Sequence, residues 1–216
     1  MIVSVHVPKC AGTSFRNILD AIFGERIWHN YGTIFTRDQA VADRIPRGIR
    51  VIHGHFIADA FDDLVPKRRL ITWVRDPVER VVSNYYHCLR SPDMRDDCCR
   101  LVHEQKLGLL EFADLDWMKN LSTRYMANKP VADFAFVGIA ERFEKSMEAF
   151  SKNLGFRRVL GVPRLNVNPK RREATYSLSR EERSYIIERN GTDLAWYEQA
   201  CLRLDAEEGS RSNWVA

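Results

Sequence analysis

The chain has 216 residues, of which 45% are hydrophobic and 29% charged. This composition excludes a disordered or fibrous protein and predicts one globular domain over residues 1–216, large enough for a sizeable core. Lys and Arg number 33 against 29 Asp and Glu, an excess too small to indicate a nucleic-acid partner. Three short clusters concentrate the positive charge and could face an anion: residues 67–69, 157–158 and 170–172.

The sequence predicts a soluble protein with no integral membrane segment. No apolar run approaches the roughly 18 residues that span a bilayer, and the N-terminus lacks a charged region followed by an apolar one. A strand is predicted from Ile2, which leaves no room for a membrane stem. We therefore expect a bacterial cytoplasmic protein. Its oligomeric state stays open.

The five cysteines are odd in number and irregularly spaced, which argues against a disulfide framework and for a reducing compartment. A zinc site from Cys88, Cys98 or Cys99 and His103 is the alternative. Adjacent cysteines rarely ligate one ion, and no CxxC pair is present. Free thiols are the favoured interpretation.

Apolar β-branched runs alternate with helical periodicities along the chain. This pattern predicts an α/β fold in three layers, with a central, mostly parallel sheet flanked by helices. The first strand covers residues 2–7. A short loop leads from it into a helix whose apolar positions repeat at three and four residues until Gly24 ends it. A second strand is predicted at 49–52, running into His53-Gly54-His55.

The middle of the chain has a well-specified helix start. A strand at 70–74 leads into Asp76, which can cap the helix, Pro77 at its first position and Glu79 three residues after the cap. Residues 91–106 are polar and lack clear periodicity, so they are predicted to form a mobile excursion or lid. Helical character resumes over 109–126.

The last third of the chain continues the alternation. A buried strand is predicted at 134–139, followed by a helix with one apolar face and by an irregular basic loop at 161–173. Ser179 and Glu182 form a capping box for a C-terminal helix, and a further helix follows. No repeat, low-complexity segment or linker interrupts the single domain.

The loop between the first strand and its helix has the features of a phosphate cradle. Small residues from Cys10 to Ser14 let backbone N–H groups approach an anion at the positive end of the helix. The loop is not a Walker A motif, because Lys9 precedes Gly12. The same local structure also occurs in α/β proteins without a ligand, so this motif alone leaves phosphate binding open.

A second candidate phosphate site follows the strand at 70–74. Arg75 lies at its carboxyl end and Ser83 eight residues further on, where an open α/β sheet places its ligands. The structural alternative is that Arg75 forms part of a turn and pairs with Glu79.

Together these segments resemble the sulfotransferases that use 3′-phosphoadenosine 5′-phosphosulfate (PAPS). Residues 6–15 are similar to the 5′-phosphosulfate loop of that family, and residues 74–86 to its 3′-phosphate motif. His53-Gly54-His55 resembles a strand end of the carbohydrate branch typified by heparan sulfate 2-O-sulfotransferase. Residues 136–143 and 166–175 resemble the downstream nucleotide-binding half. The resemblance spans residues 2–204 and implies a fold like that of the P-loop nucleotide kinases.

The resemblance also implies a reaction and a set of roles. The sulfuryl group of PAPS would move to an acceptor hydroxyl of a carbohydrate, leaving 3′,5′-adenosine diphosphate, with no metal required. His55, or His53, would be the general base, and Lys9 would stabilise the leaving group. The residues implied in donor binding are Lys9, Cys10, Ala11, Gly12, Thr13, Ser14, Arg75, Ser83, Lys170, Arg171 and Arg172.

Two other functions compete with this one. A kinase-like phosphotransferase lacks support because the Walker order and an obvious magnesium carboxylate are missing. A non-catalytic nucleotide- or glycan-binding module would not need both a base and a leaving-group lysine. The acceptor stays open among a polysaccharide, a lipid-linked sugar, a small metabolite and a peptide tyrosine.

Four aromatic residues are assigned to core packing rather than to stacking on the nucleotide: Trp73, Tyr85, Tyr86 and Trp117. Glu141 and Arg142 are expected near the adenine.

Overall fold

The structure is a computed structural model that describes residues 1–34, 44–62, 69–155 and 176–212. The strands are β1 (Ile2–Val5), β2 (Ile27–Ile34), β3 (Val51–Phe56), β4 (Arg69–Val74) and β5 (Phe136–Ile139). The helices are α1 (Gly12–Phe23), α2 (Pro77–Arg90), α3 (Asp97–Gln105), α4 (Leu109–Ala113), α5 (Leu121–Tyr125), α6 (Phe143–Leu154), α7 (Arg180–Arg189) and α8 (Gly191–Ser212). Three short 3₁₀ turns cover Gly24–Arg26, Val131–Asp133 and Ala140–Arg142.

The five strands form one parallel sheet in the order β2-β3-β1-β4-β5. Its central strands are almost completely buried, as expected when helices cover both faces of a parallel sheet. The apolar face of α1 packs on this core, where Phe15 meets Phe136 and Phe150. The predicted α/β class, with a parallel sheet flanked by helices, is confirmed.

The strand order creates a crevice between β1 and β4. From β1 the chain passes through α1 to β2 at one edge of the sheet, and from β4 it passes to β5 at the other edge. The loops after these two neighbouring strands therefore leave in opposite directions. In open α/β sheets this divergence marks the place where ligands bind.

Strand β2 was not predicted from the sequence. It pairs with β3, with Ile27 opposite Val51 and His29 opposite His53, and its register shifts between Asn30 and Ile34. Its polar residues His29 and Asn30 interrupt the apolar pattern on which strand prediction depends. They are accommodated because this end of the strand faces other polar side chains and α1.

Within the predicted excursion at residues 91–106, residues Asp97–Gln105 form a helix, α3, that the sequence did not predict. Asp96 caps this helix by accepting hydrogen bonds from the amides of Cys98 and Cys99, at 2.9 and 3.2 Å. Cys99 and Val102 are buried in a cluster with residues of α2. Only two residues of α3 are buried, too few to give the sequence a recognisable helical periodicity. Its predicted mobility stays a prediction.

Other predicted details are present. Asp76 caps α2, and the Ser179–Glu182 capping box starts α7. The basic segments at 67–68, 157–158 and 161–173 lie outside the described residues, as do Lys170, Arg171 and Arg172. Among the helices of the described ranges, none has the length and apolar character needed to cross a membrane. That residues 1–216 form a single domain stays a prediction.

Candidate functional site

The loop between β1 and α1 lies at the carboxyl edge of the sheet, in the crevice between β1 and β4. Lys9 and Ala11 both have left-handed backbone conformations, with φ of 67° and 60°. Such a conformation costs a non-glycine residue about 1–2 kcal/mol and is concentrated at functional sites. The chain thus maintains a strained loop where the sheet topology places a ligand.

Helix α1 begins from this loop without a cap. Ala11, at the N-cap, makes no side-chain hydrogen bond, and the first turn contains no acidic residue. The first intrahelical bond runs from the Phe15 amide to the Ala11 carbonyl, at 3.1 Å. The preceding amides, which start with Gly12 and Thr13, have no intrahelical acceptor. Together with the helix dipole they suit an anion.

Gly12 is required by its contact with His6. A Cβ atom added to Gly12 would lie 1.6 Å from His6 Nε2, far inside van der Waals contact. Any side chain at position 12 would therefore displace the His6 ring or the loop. This close approach explains the glycine at the start of α1.

The remaining loop residues contribute in different ways. The Cys10 thiol is fully buried, and burial raises its pKa to about 12, so it can offer a ligand only its backbone. Thr13 is exposed at the helix start, whereas the Ser14 side chain is buried. Burial, and then the charge of Arg75, lower the pKa of Lys9. The lysine is therefore close to a second cation and only partly hydrated.

Arg75 connects the loop to the start of α2. Its Nη1 donates to the Lys9 carbonyl at 3.4 Å, while its side chain pairs with Glu79 at 3.4 Å and Glu141 at 3.6 Å. The pairing with Glu79 that formed the structural alternative is present. The same side chain also joins the two motifs that the sequence predicted to converge. Ser83 is half-buried, one helical turn beyond Glu79.

His55 is held in one tautomer by its backbone partner. Its Nδ1 lies 2.8 Å from the His6 carbonyl oxygen, which can only accept, so Nδ1 carries the proton. The neutral ring then has an unprotonated Nε2 that can accept a proton. Burial lowers the pKa of His55, which favours the neutral form.

His53 has a different environment. It is 1% exposed, and its Nδ1 is 2.9 Å from Ser4 Oγ. Burial lowers the pKa of His53 to about 3, so the ring is neutral. A fully enclosed ring cannot reach an acceptor in solution.

Sequence reasoning missed a layer of imidazole rings. His6, His29, His53 and His55, here called the histidine layer, lie on β2 and β3 and directly after β1. The His6 ring stacks on His55 at 4.4 Å and on His53 at 5.3 Å, and His29 meets the edge of His53 at 5.9 Å. The signal was the alternation along two strands, with Ser4 and His6 on the same face as His53 and His55.

Other candidate residues have simpler roles. Trp73 is buried and stacks on Phe143, which fits its assignment to the core. Glu141 lies at the site, because it pairs with Arg75 and accepts a hydrogen bond from the Asp76 amide at 3.3 Å.

The zinc interpretation is not supported by His103. The thiols of Cys88 and Cys98 are 2.9 Å apart, but His103 Nε2 lies 3.0 Å from the Cys88 carbonyl and 3.2 Å from that of Ser91. Nε2 therefore donates a proton, which leaves only Nδ1 of His103 to ligate an ion. Among the described residues, no group of three or more His, Cys, Asp or Glu side chains is placed to hold a metal ion.

Comparisons with known proteins identify the family. The sulfotransferase family model matches residues 1–198. The chain belongs to this family. Membership of this family supports sulfuryl transfer as the activity of the protein, and it implies PAPS as the donor.

Among solved structures, the chain is similar to a sulfotransferase from Alicyclobacillus acidocaldarius. The match covers 91% of this chain and 94% of that chain, with 16% identity and a TM-score of 0.49. No curated protein matches the sequence.

Proposed function

We propose that this protein transfers the sulfuryl group of PAPS to an acceptor hydroxyl, with His55 as general base and Lys9 beside the leaving group. The observation that carries the proposal is the tautomer of His55, whose bond to the His6 carbonyl keeps Nε2 unprotonated. This nitrogen belongs to the strand neighbouring the anion-binding loop, since β3 pairs with β1.

The residues of the loop fit the 5′-phosphosulfate. The two left-handed residues bend the backbone around the start of α1, and the uncapped helix offers amide donors to an anion. We propose that the backbone of Cys10 and Ala11, the amides of Gly12, Thr13 and Ser14 and the exposed hydroxyl of Thr13 hold this group.

We propose Arg75 and Ser83 as the partners of the 3′-phosphate. Arg75 is 12% exposed and held between Glu79 and Glu141, which fixes its guanidinium before a ligand arrives. Lys170, Arg171 and Arg172 are proposed from the resemblance to close over the nucleotide.

The donor supplies an electron-poor sulfur atom that an acceptor hydroxyl can attack in line. His55 Nε2 takes the proton from that hydroxyl, and the protonated ring keeps its Nδ1 bond to the His6 carbonyl. Lys9 offsets the negative charge that develops on the leaving group. The burial that lowers the pKa of Lys9 also strengthens its electrostatic effect, since less water screens it.

His55 is a better candidate for the base than His53. The ring of His53 is enclosed, and its Nδ1 is engaged with Ser4. His53 therefore supports the strand end, while His55 is only half-buried and can meet an acceptor. We propose a carbohydrate as the acceptor and a bacterial cytoplasm as the location, both from the family resemblance and the sequence.

Nucleotide binding tests the donor. Calorimetric titration with 3′,5′-adenosine diphosphate and with ADP, each with and without Mg²⁺, should show a strong and metal-independent preference for the 3′-phosphorylated nucleotide. A preference for Mg-ADP would instead support a phosphotransferase and contradict the proposal.

A substitution tests the base. His55→Ala should abolish sulfuryl transfer from labelled PAPS while leaving nucleotide binding nearly intact. The matched control is His103→Ala, which removes a half-buried histidine from α3. Full activity of the His55 variant would show that another group takes the proton, and nucleotide binding without transfer in the wild type would indicate a binding module.

A further inference from the structure

The His6 side chain lies between the two parts of the proposed site. On one side its Nε2 edge reaches Gly12, where even a Cβ atom would come within 1.6 Å. On the other side its ring stacks on His55 with 4.4 Å between centroids and 27° between planes. A single imidazole thus separates the anion-binding loop from the histidine at the end of β3.

The backbone of His6 acts on the same partner. Its carbonyl oxygen accepts the Nδ1 hydrogen of His55 at 2.8 Å, and its amide donates to the Gly54 carbonyl at 2.8 Å. The backbone of His6 therefore sets the tautomer of His55, while the side chain lies against one face of the ring. Because the carbonyl remains in every substitution, the role of the side chain can be tested separately.

The surroundings of the His6 side chain favour a space-filling role over a hydrogen-bonding role. Its Nδ1 is buried, and no hydrogen-bond partner for it is found in the described part of the chain. A six-membered ring would extend further toward Gly12, where there is no room. A small side chain would leave the face of His55 open.

We propose that His6 is a positioning residue, whose imidazole holds the His55 ring in place against the donor loop. The inference rests on the proposed function, since it assigns His6 a part in the same reaction. A displacement of about 1 Å from the productive arrangement can lower the rate of reaction about 100-fold. His6 would supply that constraint without touching the reacting atoms.

The inference predicts a change in the titration of His55. Titratable and charged groups around the His6–His55 pair come from the loop, α1, β2, β3 and α5: Lys9, Arg16, Tyr31, His53 and Tyr125. Burial is the main cause that lowers the pKa of His55. Removing the His6 ring admits water, so the pKa of His55 should rise toward its ordinary value of 6.5.

The first experiment uses His6→Ala. We expect 3′,5′-adenosine diphosphate to bind within about threefold of wild type and kcat to fall by about 100-fold. The acidic midpoint of the kcat profile, and the His55 titration followed by NMR, should both move upward. A merely structural role would lower the amount of active protein without moving either midpoint. If His6→Ala does not fold, His6→Asn is used with the same expectations.

The second experiment overfills the same space with His6→Phe. This larger ring should press on Gly12 and weaken binding of 3′,5′-adenosine diphosphate by about tenfold or more. The two variants should therefore fail differently, one in kcat and the other in nucleotide affinity.

The matched control is His29→Asn. His29 belongs to the histidine layer, but its ring meets Tyr31 and His53 and pairs with Asp20 at 2.6 Å. Its variant should keep both the rate and the pH midpoint of wild type. Equal losses in the His6 and His29 variants, or an unchanged rate and midpoint in His6→Ala, would overturn the inference. Absence of sulfuryl transfer in the wild type would instead overturn the proposed function itself.

Discussion

Helices α1 and α2 both begin at the carboxyl end of a central strand, yet they begin in opposite ways. At the start of α2, Asp76 accepts a hydrogen bond from the Glu79 amide at 3.0 Å and Pro77 occupies the first turn. At the start of α1 no side chain caps the helix, and two left-handed residues precede it. The chain caps one helix start with its own side chain and leaves the other, where we propose the donor binds, without a side-chain cap.

The same contrast continues beneath the two helices. Helix α2 is anchored by Arg80, which is fully buried and donates to the Met118 carbonyl at 3.0 Å and to Asn190 Oδ1 at 3.2 Å. Helix α1 instead covers the histidine layer, whose rings pack largely against one another. A buried charge network fixes one side of the crevice, while the other side is built from stacked imidazole rings.

The largest expected effect is on the anchor of α2. Asp193 lies 3.8 Å from Arg80 and accepts the amides of Ser122 and Thr123 at 3.0 and 2.8 Å. Asp193→Ala leaves a buried guanidinium without its counter-charge, so the free energy of unfolding should fall by about 3–5 kcal/mol. Chemical denaturation measures the change.

The control for this prediction is an exposed ion pair. Arg100→Ala removes the partner of Asp97 on the surface of α3, where solvent screens the charges, and should leave the free energy of unfolding close to that of wild type. If Asp193→Ala were equally mild, the buried network would not be what holds α2.

The second prediction concerns the start of α1. Gly12→Ala places a methyl group against His6, so the loop must shift, and affinity for 3′,5′-adenosine diphosphate should fall by about 100-fold, or about 3 kcal/mol. Calorimetry measures the affinity.

Gly191→Ala is the matched control, because this glycine also begins a helix and a Cβ there would meet nothing within 4 Å. It should bind the nucleotide like wild type. Equal binding by the Gly12 variant would show that the α1 start is not the donor site.

The sequence was sufficient for most of this contrast. Three features are formed by residues close together in the chain, so the sequence alone predicts them. They are the cap of α2, the loop with Lys9 before Gly12, and Arg75 at a strand end. The sequence also suggested both alternatives for Arg75, and the structure shows why they do not exclude each other. One guanidinium pairs with Glu79 and Glu141 while it contacts the Lys9 carbonyl.

What the sequence could not provide depends on strand order. The role proposed for His6 can be inferred only when β1 lies beside β3, which places His6 against His55. Strand β2 was not predicted because His29 and Asn30 are polar. Asn30 is buried and His29 partly buried only because β2 lies beside β3 and α1. Helix α3 was not predicted because it buries only Cys99 and Val102.

The third prediction uses pH to separate the two sides of the crevice. The folded-state pKa of His53 is about 3, below its ordinary 6.5, so below pH 6.5 the unfolded chain binds more protons than the folded one. The contribution of His53 to stability should therefore be constant above pH 6.5 and be lost as the pH drops toward 3, by about 1.4 kcal/mol per pH unit.

Denaturation curves at pH 7.5, 6 and 5 measure this loss, and His53→Asn should reduce its slope. Arg100→Ala serves again as the control and should leave the slope unchanged. A slope that does not respond to removal of His53 would mean that the acid-sensitive groups lie elsewhere.

The smallest expected effect is on the cap of α2. Asp76→Ala removes the acceptor of the Glu79 amide and should cost about 1 kcal/mol of stability, the usual value of an N-cap. Asp76→Asn keeps a capping oxygen and should lose only a few tenths. Because the cap completes a helix rather than a ligand site, affinity for 3′,5′-adenosine diphosphate should change little in either variant. A large loss of affinity with unchanged stability would reverse the comparison, since the start of α2 would then serve the nucleotide as directly as the start of α1.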